Sequence, residues 1–186
     1  MMICQGASQN FIFYRSLTIS GTTITLVDSQ TAMVNQVHQL HGPQLYKIQD
    51  NIVAVIPGNY RMQLQAITID GSNNMTLGTL TVFAEGALAQ MYGGIYPVSA
   101  VNGRFSCIYW EGAGDNIKIA TLDVSGTTLT TLAGPTAIST NAQGYDHYVF
   151  PENSNGNRFI KYSNPSSDHN SAILLKINAN GTFTAN

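Results

Sequence analysis

The chain has 186 residues, of which only 10% are charged, and its formal net charge is −2. An average soluble protein carries about 25% charged residues, so solubility here falls to Ser, Thr, Asn and Gln on pleated solvent faces. There is no basic stripe to displace phosphate counterions and no apolar run near the roughly 18–20 residues that cross a bilayer, which argues against nucleic-acid binding and membrane insertion.

In chain order the sequence is a series of short β-favouring segments. The opening residues, MMICQGASQN, have neither the basic start nor the apolar core of a signal peptide. Met2–Cys4, Phe11–Ile19 and Thr23–Val27 make a first unit (1–30), with a hairpin corner at Gly21 in LTISGTTIT. Thr31–His41 reads either as a short helix or as a structured loop. The second unit (43–84) has strands at Gln44–Ile48, Ile52–Ile56, Arg61–Ile69 and Met75–Phe83, with its corner at Gly71. The third (95–138) has Tyr96–Val101, an Asn102-Gly103 turn, Arg104–Trp110, the loop Glu111–Asp115, and a hairpin from Lys118 to Leu132 around Ser125-Gly126. The fourth (146–186) has His147–Phe150, Arg158–Tyr162, Ala172–Ile177 and Thr182–Thr184, with its corner at Gly181.

The corner glycines Gly21, Gly71, Gly126 and Gly181 recur every 50 to 55 residues. Four-stranded antiparallel meanders at that period are the signature of a β-propeller; a β-helix has a shorter period and a sandwich does not repeat so closely. The expected fold is therefore all-β and propeller-type, one repeat domain over 1–186 with about three and a half blades. Unit one has no donor for its first strand. Completion then calls for further blades of a longer chain, or for self-association.

Within the repeats, Ile108-Tyr109-Trp110 stands before Val124-Ser125-Gly126-Thr127, and Ile160-Lys161-Tyr162 before Ile177 to Gly181. This pairing resembles the propeller-like repeat modules of bacteriophage tail-fibre and virion proteins and of bacterial surface proteins. The resemblance implies the fold and a virion or extracellular, cell-surface setting. It implies no catalytic residues.

Candidate chemistry is sparse. His38-Gln39-Leu40-His41 has ligand-like spacing on a helix but lacks a zincin's Glu and a third ligand, so no metal is expected. Asp115 and Asp168 occupy matching loops, without the oxygen-rich repeat of a calcium loop. Serine-nucleophile, phosphate-loop and dinucleotide signatures are absent, and no cofactor is expected. Cys4 and Cys107 fall in the same strand of non-adjacent units, poor geometry for a disulfide, and read as small buried apolar residues.

One pattern is more suggestive. His41-Gly42, Tyr92-Gly93 and Gly144-Tyr145-Asp146-His147 place an aromatic or histidine beside glycine before the first strand of three units. These loops leave a meander on the same side as those holding Asp115 and Asp168, at whose edge Trp110 lies. The residues either wedge between blades or bind; Trp110 also reads as strand core. As a site, His41, Tyr92, Trp110, Asp115, Tyr145, His147 and Asp168 offer flat rings with polar neighbours, which suits a cell-surface glycan. The expected function is non-enzymatic structure or recognition, of adhesin or tail-fibre type. The alternative is a fragment of a propeller glycoside hydrolase or lyase whose carboxylates lie partly elsewhere.

Overall fold

A computed structural model describes residues 2–5, 11–33, 43–48, 50–57, 61–85, 93–111, 116–139, 143–164 and 169–186. These residues form β-strands joined by turns, with no helix among them. The reason is local: runs such as Asn116–Ser125 (NIKIATLDVS) are rich in β-branched residues whose stiff side chains fit a pleated surface.

The strands make four antiparallel sheets in chain order. The first contains β1 (Met2–Gln5), β2 (Phe11–Ser20) and β3 (Thr23–Met33). The second contains β4 (Gln44–Ile48), β5 (Asn51–Pro57), β6 (Arg61–Ile69), β7 (Met75–Leu77) and β8 (Thr81–Glu85). The third contains β9 (Gly93–Pro97), β10 (Arg104–Glu111), β11 (Asn116–Ser125) and β12 (Thr128–Ser139). The fourth contains β13 (Gln143–Val149), β14 (Asn157–Asn164), β15 (His169–Ile177) and β16 (Phe183–Ala185). Each sheet pairs sequential strands, and β7 and β8 both pair with β6.

The core lies between the sheets. Ile12 and Tyr14 of the first pack with Ala54, Ile56 and Ile67 of the second. Val53, Val55 and Leu64 from the second sheet's other face pack with Phe105, Cys107 and Leu122 of the third. The third sheet turns Ile108, Trp110 and Ile119 toward Ile160, Ile173 and Leu175 of the fourth. Successive strand residues point to opposite faces, so the two middle sheets are apolar on both. No apolar cluster among the described residues joins the first sheet to the fourth.

Several expectations shift. Strand one of the third unit is Gly93–Pro97 and not Tyr96–Val101, because residues 98–103 are consumed by a turn. The Val98 amide donates to the Arg104 carbonyl at 2.9 Å, and Gly103 sits at φ +76. Met75–Phe83 is broken at Gly78, where the Thr127 carbonyl of the third sheet lies where a side chain would be. Strand one of the fourth unit begins earlier than His147, at Gln143. Thr31–Met33 complete β3; the rest of the Thr31–His41 segment lies outside the described residues.

The four corners are of two kinds. Gly21 (φ +58) and Gly126 (φ +55) each open a two-residue loop between paired Ser and Thr, the II′ pattern. In the second unit the residue at positive φ is Asn73 (φ 66), not Gly71. There the Asn73 amide donates to the Asp70 carbonyl at 2.9 Å. Gly181 (φ +86) closes an equivalent turn, its amide donating to the Asn178 carbonyl at 2.9 Å. The corners therefore do not superpose as a set of four.

Polar straps cross the first interface. Ser16 Oγ donates to the Asn73 carbonyl at 2.6 Å, and Asp28 Oδ2 accepts the Met75 amide at 2.8 Å. That amide is the main cause holding the Asp28 carboxyl below the usual carboxylate range, with Gln30 second.

Two tests follow from this geometry. Gly71→Ala is expected to leave stability within about 0.5 kcal/mol or raise it, since no positive φ is needed and nothing crowds the new methyl. Gly126→Ala, at positive φ, is expected to cost about 1–2 kcal/mol in urea unfolding; equal effects at both sites would refute the two-turn description. For Asp28, a depressed folded pKa means its stabilisation is present above the ordinary value and lost as pH falls below about 4. Asp28→Asn should lower the neutral-pH melting temperature and flatten its decline in acid. Parallel wild-type and variant acid profiles would remove Asp28 from that role.

Candidate functional site

Of the seven sequence-predicted site residues, His41, Tyr92, Asp115 and Asp168 lie outside the described residues. Tyr145 and His147 fall on β13, where the backbone alone is described. Trp110 is 7% exposed and packs among Ile108, Ile117 and Ile160 between the third and fourth sheets. Its ring lies in the core, so it is not an open platform for a ligand. Trp110 is thus the one member of the seven whose side chain is among those described.

What it does bring together stands beside them. Tyr46 on β4 and Tyr96 on β9 belong to different sheets, yet their hydroxyls flank the bare Cα of Gly94. A Cβ built there would lie 3.0 Å from Tyr96 Oη and 3.1 Å from Tyr46 Oη. Glycine at 94 is thus what lets the two hydroxyls approach the strand. Tyr46 Oη also donates to Gln44 Oε1, and Gln44 is exposed. Both rings are half-buried, Tyr46 against the cluster of the second and third sheets and Tyr96 against that of the third and fourth. The group sits where the loops carrying His41 and Tyr92 deliver the chain into β4 and β9.

Its electrostatics are those of neutral phenols. Burial, aided by Tyr46 and Cys107, pushes the Tyr96 hydroxyl up to about 12. Burial likewise raises Tyr46, and it raises the fully enclosed Cys107 thiol in the cluster against which Tyr46 packs. At neutral pH both hydroxyls keep their protons and can each donate and accept. The Cys107 thiol stays protonated and inert.

Two further devices frame the site. At the mouth of the 112–115 loop, Lys118 Nζ pairs with Glu111 Oε2 at 2.6 Å, tying the ends of β10 and β11 together. At the opposite end, arginines clasp the third sheet to the fourth. Arg104 grips Asp123 through Nε at 2.7 Å and Nη2 at 2.9 Å, and Nη1 donates to the Ala179 carbonyl at 2.5 Å. Arg158 donates to the Pro97 carbonyl and to Glu152 Oε2 at 3.1 Å, with its guanidinium 5.7 Å from the Tyr96 ring centroid. Glu152 Oε2 in turn accepts the Ser99 amide at 3.0 Å. Arg158 thus braces one wall of the tyrosine pair.

Sequence reasoning missed both features. The arginines had a signal: Asn102-Gly103-Arg104-Phe105 recurs as Asn155-Gly156-Asn157-Arg158-Phe159. The tyrosine pair had none, because Tyr46 and Tyr96 meet only when two sheets stack.

No group of three or more His, Cys, Asp or Glu that could hold a metal ion occurs among the described residues. Nor is any described helix long and apolar enough to cross a membrane. No protein-family model, curated protein or solved structure matches the chain.

The packing beneath the site can be probed directly. In a Cys4→Ser background, Cys107 is expected to resist iodoacetamide in the folded protein and to react fully in denaturant. Rapid labelling of the native form would show that the packing under Tyr46 is open.

Proposed function

We propose that the chain is a non-enzymatic recognition module built on a propeller-type repeat, which takes a cell-surface glycan at the Tyr46–Tyr96 end. The observation that carries this reading is the pair of protonated tyrosine hydroxyls converging over Gly94, on half-buried rings, with exposed Gln44 alongside. A sugar presents an apolar C–H face and a rim of hydroxyls that both donate and accept. Neutral phenols match that rim, and aromatic carbon matches the face. The loops bearing His41 and Tyr92, with Tyr145 and His147 of β13, would extend the same surface, and those holding Asp115 and Asp168 would lie beside it.

Stacking in chain order, with both faces of the middle sheets buried, supports the propeller-type repeat. The Val-Ser-Gly-Thr hairpin wording supports a virion or cell-surface setting, as in a phage fibre or an adhesin. Few charges suit a module whose stability and solubility rest on strand pairing and hydroxyl-rich faces.

The test is a glycan array, followed by titration of any glycan bound, with wild type, Tyr46→Phe, Tyr96→Phe, Tyr92→Ala and Tyr145→Ala. Each lost hydroxyl should weaken binding roughly 3- to 10-fold at unchanged melting temperature. Wild-type affinity in all four folded variants would overturn the site. Release of new reducing ends from a bound glycan would favour the hydrolase reading instead.

A further inference from the structure

One contact recurs at every junction along this chain. The hairpin corner between the third and fourth strands of a unit leans on the sheet before it. Asn73 and Met75 are held by Ser16 and Asp28 of the first sheet. The Thr127 carbonyl seats on Gly78 of the second, and Ala179 and Gly181 meet Arg104 and Leu132 of the third. Each sheet thus shows a backward face to its predecessor and a forward face to its successor.

Two surfaces are left over, one at each end. The first sheet buries Ile12, Tyr14 and Ser16 forward. At its own corner, around Gly21, the flanking Ile19 and Ile24 are 72% and 65% exposed, with Leu26 open beside them. The fourth sheet turns Ile160 and Leu175 backward. Its forward face shows Phe159 at 51%, Tyr148 at 63%, and Phe150. These are the two halves of the contact made three times inside the chain: an unused corner and an unused forward face.

We propose that a second copy of this chain supplies the missing partner, the Gly21 corner of one copy seating on the Phe159 face of the other. The occupant is argued from continuity: the same repeat carries both complementary halves, in the polarity that its internal junctions already use. Because the two surfaces differ, the contact is head-to-tail, and it closes only if each copy serves both roles. Two copies joined at both ends unite eight sheets, within the range of about 4–8 for closed propellers. The exposed charges on these faces among the described residues, Arg15, Lys161 and Lys176, are all basic. Apolar burial therefore drives the contact, and added salt strengthens it.

The experiment is light scattering on the 186-residue chain at low and high salt, for wild type, Ile24→Lys and Phe159→Lys. Wild type is expected at twice the monomer mass, increasingly so with salt, and each variant alone as a monomer with an unchanged far-UV circular dichroism spectrum and a melting temperature that no longer rises with protein concentration. The substituted side chains are exposed, so folding should tolerate them; Leu26→Lys and Phe150→Lys repeat the test should either lose its fold. A monomeric wild type overturns the proposal. So does a dimer that survives either single variant, because a contact pairing like faces needs only one of the two surfaces.

Discussion

Both faces of the middle sheets must be covered, and the rest of the structure follows from that. In β10 every residue from Arg104 to Trp110 is buried, so the strand has no solvent side. A strand of this kind costs free energy wherever water can reach either face, since each exposed large apolar side chain forfeits about 1.5–3 kcal/mol of transfer free energy. It needs a sheet on each side. The third sheet finds them in the second and fourth, and the second sheet finds its own in the first and third. Stacking is the condition under which the central strands exist, and the end sheets, β2 with its alternating burial among them, are where that condition lapses.

Apolar faces alone leave the lateral position of stacked sheets poorly fixed, because side-chain packing tolerates sliding better than hydrogen bonding does. The corners remove that freedom. Asp28 caps the Met75 amide, Gln65 bridges the Tyr14 hydroxyl at 2.7 Å and the Gly78 carbonyl at 2.8 Å, and Arg104 reaches the Ala179 carbonyl. The Asp28 and Arg104 bonds each join a side chain of one sheet to a backbone group of the next, and the Tyr14–Gln65 bond joins side chains of the first and second sheets. The edges are handled separately. β12 is an edge strand, and its pairing with β11 is interrupted by a bulge that holds Pro135, a residue with no N–H to offer a ladder.

Much of this was legible in the sequence, and what was not has a physical cause. Alternation and Gly-centred corners located the strands and their sequential pairing, because these are local properties. Gly71 misled because a glycine in a turn is not always the residue at positive φ. In Asp70–Asn74 the Asp70 carboxylate takes the amides of Ser72 and Asn74, both at 2.8 Å, and Asn73 bears the left-handed geometry. The break at Gly78 was invisible because its cause, the Thr127 carbonyl, comes from another sheet. Trp110 was legible as strand core and is found there. Tyr46 and Tyr96 were passed over as ordinary strand residues, since nothing local marks two tyrosines 50 positions apart as neighbours.

The tyrosine pair also ties the recognition proposed above to stacking. Tyr46 is held by the cluster between the second and third sheets and Tyr96 by the one between the third and fourth, under the Arg158 guanidinium. The separation of their hydroxyls is thus set by two junctions at once, and any change that lets either junction slip moves one hydroxyl relative to the other. A site made this way is preorganised without rigid loops, because its geometry is that of the core. In the proposed site, loop sequence could then vary while the pair stays fixed, which would separate the residues that tune a ligand from those that hold its footing.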